Sequence, residues 1–318
     1  MAGICALSAK GDTVTLQNID TYRYYDPLFE SVRIVLNFMG ETYTPEYISG
    51  ISGAAFKIAT GCPSRPTCVH DGGVAEFLKY IGYEAEEHPF TDKMVEAVKR
   101  HIDAGKPALV FHAFSMYEWD VVCGYDEAAK QFIGRSHWPQ DLRRAPWDRA
   151  KDGFGIGAVL IGKRTAELDE RAAEIRSIEN TIKHARHVRT DDQAAWDFVG
   201  VESYKKWAAK YAAPGAEFGN DDKYCHMVYS SVRKAGVGYL RQIAAKYDDE
   251  TAAHLRNAAD CFEREAKLLE SAQPYLGWDS PFGVDEERNK KLAPILAQAA
   301  EAYEKAIEHL EKINFAGK

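Results

Sequence analysis

Residues 24–40 read YYDPLFESVRIVLNFMG, and the fold turns on how this stretch is read. Leu28, Val32, Val35, Leu36 and Met39 recur at the spacing of one helix face. Asp26 stands where a helix is capped, and Pro27 suits the first helical position, where its missing N–H costs nothing. Gly40 supplies the stop. A cap explains Asp26 and Pro27 without any chemistry. Working outward, PEYISGISGAAFKI follows, with Gly50 and Gly53, and GGVAEFLKYIGY gives a short helix stopped by Gly82. TDKMVEAVKRHIDAGKP is a further helix, capped by Thr91, with Met94, Val95, Val98 and Ile102 turned inward. Strand-like runs come next: ALVFHAF, then EWDVVCGYDEAAKQFIGRSHW with a hairpin turn at 126–130, then GIGAVLIGK, expected to close the sheet. Helix first and antiparallel strands afterwards predict an α+β fold.

The pattern changes near Lys163, which divides the chain into an α+β domain over 1–163 and a helical bundle domain over 164–318. Five helices are expected in the second part. Their stripes include Leu168, Ala172, Ile175, Ile178 and Ile182, then an aromatic series of Trp196, Val199, Tyr204, Trp207 and Tyr211. Leu255, Ala259, Phe262, Ala266 and Leu269 mark another, and Pro294 starts or kinks the last. Such stripes are bundle core, with pairs such as Glu263 and Lys267 on a solvated face. His184 and His187 are read onto a solvated face as well. The aromatic helix could also pair two copies, so a homodimer is among the expected partners.

Composition narrows the class. With 46% hydrophobic and 28% charged residues the chain is globular in type. A net charge of −8 argues against nucleic acid held through its phosphates. No apolar window is long enough to span a bilayer, so no membrane partner is expected. The first residues carry no basic, long apolar leader, and six cysteines are too few for a disulfide scaffold. A cytoplasmic protein with free thiols is the expectation. No cofactor is expected: GFGIGAVLIG has the glycines of a phosphate loop but leads into no helix.

Three stretches carry a resemblance: VLNFMGETYT, YISGISGAAFKI and WDVVCGYDEAAKQFIG. Together they make the first 165 residues resemble the N-terminal domain of the butirosin-biosynthesis acyltransferase family, which has a papain-like fold related to double-glycine peptidases. The resemblance implies a nucleophilic cysteine at the N-terminus of the early helix, where unpaired amides and the helix dipole lower a thiol's pKa. Counting back from Gly40, that place falls on Pro27 or Asp26. The implied general base falls on Glu118, and the residue that would orient it on Ser136 or His137. The triad is thus substituted throughout.

The candidate catalytic residues are therefore Asp26, Glu118 and His137, two carboxylates and an imidazole that could shift one another's pKa values or hold a divalent ion. Phe56, His112 and Trp119 are expected to flank the cleft and touch substrate. No metal is assigned: Cys62, Cys68 and His70, in GCPSRPTCVH, form a further candidate ligand set, set against a proline-rich surface loop with incidental thiols. Cys62 or Cys68 could also serve as a relocated nucleophile, with His70, His112 or His137 as base. Cys123 is read as a packed small residue, and Cys225, His226 and Cys261 as bundle core. Two functions follow. One is a binding protein for a small molecule or a peptide-like or acyl chain on a degenerate papain-like fold; the other is an acyltransferase or amide hydrolase with a rebuilt site.

Overall fold

The computed structural model describes residues 7–59, 73–187 and 199–315. The chain forms two compact units, one of Met1–Ile48 with Thr67–Asp169, the other of Ser49–Pro66 with Glu170–Lys318. No described helix is long and apolar enough to cross a membrane.

In the first unit the antiparallel sheet is built from β1 (Leu7–Lys10), β2 (Thr13–Leu16), β3 (Tyr83–His88), β4 (Ala108–Phe111), β5 (Trp119–Asp126), β6 (Gln131–Arg135), β7 (Arg143–Pro146) and β8 (Ala158–Arg164). Their order is β1-β2-β5-β4-β8-β3, with β6 on the free side of β5 and β7 beyond β6. The expected hairpin is present: Asp126 pairs with Gln131 across the turn. The run GIGAVLIGK yields β8, but this strand lies inside the sheet between β4 and β3. It is buried from Ala158 to Ile161, whereas β3, YEAEEH, has one buried residue, Tyr83, and four acidic or imidazole side chains. An edge strand has only one neighbour and tolerates such a sequence, which is why hydrophobicity alone did not reveal it.

Four helices accompany this part of the chain: α1 (Pro27–Phe38), α2 (Pro45–Ile51), α3 (Gly73–Tyr80) and α4 (Asp92–Asp103). Helix α1 begins and ends where its sequence indicates. The Asp26 carboxylate accepts from the Phe29 amide at 3.3 Å, and Gly40 follows the helix at φ +110°. Helix α4 is capped by Thr91, whose hydroxyl accepts from the Met94 amide at 3.3 Å, and buries Met94, Val95, Val98 and Ile102. Helix α1 is buried along ten residues, including Glu30 and Arg33. These two pair at 2.7 Å, which keeps both charges satisfied away from water.

The second unit contains α5 (Glu170–Ala185), α6 (Gly200–Ala212), α7 (Asn220–Ala244), α8 (Asp249–Ser271), the short α9 (Gln273–Leu276) and α10 (Glu286–Glu311). The unit boundary falls after Asp169, because the chain leaving β8 stays tied to the sheet unit: the Thr165 amide donates to the Gly82 carbonyl at 2.7 Å. The division is also not a single cut. Residues 49–66 belong with the helices, and the reason is visible in the strap around the 3-10 turn Ala54–Phe56. Arg233 donates to the carbonyls of Ala55 and Lys57, and the Tyr303 hydroxyl donates to that of Phe56 at 2.9 Å. Tyr229 holds both the amide and the carbonyl of Ala59. Nε2 of His184 lies 3.0 Å from the amide nitrogen and the carbonyl oxygen of Ile58, so this histidine anchors the strap instead of facing solvent. Glycine makes the approach possible: a Cβ on Gly50 would stand 2.1 Å from the Tyr239 ring, and one on Gly236 would stand 2.8 Å from Phe56. Arg233 is itself neutralised by Glu265 at 2.9 Å, both side chains having no exposure.

Candidate functional site

The candidate site gathers where the N-terminus of α1 meets the start of β5. Ser31, one turn into α1, donates to the Trp119 carbonyl at 3.3 Å and lies 2.8 Å from the Tyr22 hydroxyl. Tyr25, just ahead of the cap, presents its ring edge to His137 with centroids 4.2 Å apart. Tyr22 stands at 6.3 Å from the same imidazole. The charges of Glu118 and Asp120, after burial itself, push the Tyr25 phenol upward, which places both carboxylates near it. Asp26 and Glu118 are almost wholly buried, at 1% and 2% exposure. Tyr25 is thus the side chain that lies near both Glu118 and Asp120 and also meets His137.

The imidazole of His137 is held down at about 4 by burial alone, so it is neutral at pH 7. Its Nδ1 is buried and finds no hydrogen-bond partner among the described residues. Asp120, at zero exposure, goes the other way: burial raises its carboxyl to about 7 despite three hydrogen bonds that favour the anion. Those three come from the Phe114 amide at 2.7 Å, the Ser115 amide at 3.0 Å and the Ser115 hydroxyl at 2.9 Å, all on Oδ2. Oδ1 is left without a partner among the described residues. A carboxyl near neutrality suits proton transfer or hydrogen bonding to a ligand.

Asp120 also builds the loop between β4 and β5, and that loop is strained. His112 and Tyr117 both sit in the left-handed region, at φ +61° and +58°, conformations that cost non-glycine residues of order 1–3 kcal/mol each. His112 keeps its place through its Nδ1, which accepts the Tyr117 amide at 2.8 Å, and through its amide, which donates to the Glu118 carbonyl at 2.7 Å. Its ring stacks on Tyr117, and Tyr117 stacks on Phe154, itself at φ +55°. Burial and nearby Arg149 lower the His112 pKa.

The other expected site residues are placed as follows. Trp119 is 5% exposed, and its ring packs edge-on against Phe111. Phe56 belongs to the second unit, where its ring is fully buried against Phe262 and Tyr239. It is core there, because the strap that carries it is held by bundle side chains. Ser136 spends its hydroxyl on the Trp138 carbonyl at 3.0 Å. Cys62, Cys68 and His70 lie outside the described residues. Among the described residues no group of three or more His, Cys, Asp and Glu is arranged to hold a metal ion. Burial raises Cys123 to about 12 and also raises Cys261, the opposite of an activated thiol.

Sequence reasoning missed Tyr25 and Asp120. Asp120 had a signal, being a lone acid in the apolar run WDVVC, where a buried charge needs a reason. Tyr25 had none, since one tyrosine beside a cap looks like any other. The chain matches no protein-family model, and no curated protein matches it.

Proposed function

We propose that the first unit is a papain-like domain whose thiol position has become a helix cap, and that its cleft binds a small molecule or a peptide-like or acyl chain without covalent catalysis. The observation that carries this reading is the start of α1. There Asp26 already engages the Phe29 amide and Pro27 occupies the first turn. The amides and dipole that would stabilise a thiolate therefore face a carboxyl group, which is a weak nucleophile. The raised pKa values of Cys123 and Cys261 agree with it. Ligand recognition would then fall to Tyr25, His137 and Asp120, which offer an aromatic edge, a neutral imidazole and a carboxyl near its midpoint at pH 7.

Iodoacetamide labelling of the full chain at pH 7, followed by intact mass, tests the reading. Slow labelling of all six cysteines is expected. One thiol reacting far ahead of the rest would replace this reading with that of an acyltransferase or amide hydrolase using a relocated cysteine. Asp120 supports a second reading, acid–base chemistry without a thiol, because its carboxyl is poised near neutrality.

A further inference from the structure

Two histidines outside the candidate site meet within the second unit. His254 lies near the start of α8 and His309 in the last turn of α10, and these two helices pack against one another. Their sequence neighbours Leu255 and Leu310 are buried, which leaves both imidazoles half-buried beside the same seam. The two rings stand 5.9 Å apart between centroids, tilted by 41°. In each ring Nδ1 is buried and finds no hydrogen-bond partner among the described residues. A buried polar atom in that state calls for an explanation, and a bound ion or water is one of the usual ones. Two such atoms on adjoining rings call for a shared one.

The spacing excludes a direct contact and admits an ion. With each nitrogen about 1.1 Å from its ring centre, two that face one another across this gap stand at least about 3.7 Å apart, too far for an N–H···N hydrogen bond. One ion held by both at about 2.0–2.1 Å spans up to about 4.2 Å. Imidazole nitrogen suits Zn²⁺, Ni²⁺ and Cu²⁺, whereas Mg²⁺ and Ca²⁺ take oxygen. Burial, Lys312 and the facing His254 lower the His309 pKa, against the pull of Glu308, so its ring is neutral at pH 7 and ready to ligate. Two imidazoles fill half of a tetrahedral shell, and the other positions fall to water or an incoming ligand.

We propose that His254 and His309 form a two-histidine site for a first-row divalent ion of the zinc type, which clips the start of α8 to the end of α10. Calorimetric titration of the full chain with ZnCl₂, after removal of metal with EDTA, tests it. The natural chain is expected to bind one equivalent more than either His254→Gln or His309→Gln, and MgCl₂ is expected to bind at neither ring. A second measurement uses the natural chain alone, so it stands even where a variant fails to fold. In the ¹⁵N-histidine spectrum, the ring nitrogens of His254 and His309 should shift together as Zn²⁺ is added. Either variant keeping the full stoichiometry of the natural chain overturns the proposal, since the ion then lies elsewhere. So do ring nitrogens of His254 and His309 that ignore Zn²⁺, because water alone would then satisfy them.

Discussion

Gly50 shows how a single residue can be fixed by a neighbour far away in sequence. The GISGAAF stretch looks like a loop signature, yet its first glycine is required because the Tyr239 ring fills the space a Cβ would take, at 2.1 Å. Gly50→Ala should destabilise the second unit by about 1–3 kcal/mol, the usual cost of overpacking, read from the urea midpoint. Asp26→Ala should cost about 1 kcal/mol by losing the cap, and Asp26→Asn much less. Titration gives two opposite expectations. His137 is lowered to about 4, so the unfolded chain binds more protons than the folded one between that value and 6.5. Stability from this group is full above pH 6.5 and is lost as pH falls towards 4. Asp120 is raised from 3.8 to about 7, so the folded chain holds the extra proton and stability declines as pH rises through that window. Equilibrium unfolding between pH 4 and 8 should therefore show a shallower acid limb in His137→Gln and a shallower neutral limb in Asp120→Asn.

At the scale of elements, the helices were the easiest to read. Caps, stripes and stops of α1 and α4 fall where Asp26, Gly40 and Thr91 indicate, because a helix is a local object with a strong period. Short strands were harder. TVTL and YEAEEH carry little hydrophobicity and become β2 and β3 through neighbours distant in sequence. The buried ion pair between α7 and α8 belongs to this scale as well. Glu265→Gln leaves the Arg233 guanidinium without its counter-charge and should cost about 3–5 kcal/mol, whereas the double replacement Arg233→Met/Glu265→Leu should cost far less. Thermal unfolding of the natural chain and the two variants compares them directly. Little change in Glu265→Gln would mean that the backbone carbonyls of Ala55 and Lys57 suffice to hold the arginine.

Across the whole molecule, the informative feature is the strap at 49–59, which comes early in the chain and completes the helical unit. A fragment of residues 170–318 would leave Arg233, Tyr229 and Tyr303 facing an empty channel, so it should melt well below the same fragment supplied with a synthetic 49–59 peptide. Equal melts would show that the bundle closes by itself. The amino-acid order alone determined the mixed α/β class of the fold, the limits of α1 and α4, and the absence of a thiol at the head of α1, because each depends on residues within a turn or two of one another. The long helices were legible as stripes, but α10 starts at Glu286, ahead of Pro294. Only the tertiary structure decided that Phe56 is bundle core, that His184 anchors the strap, and that Tyr25 meets His137 within reach of the Asp120 charge. Those depend on burial and on partners scores of residues away, and burial is what moves one carboxyl up to about 7 and one imidazole down to about 4.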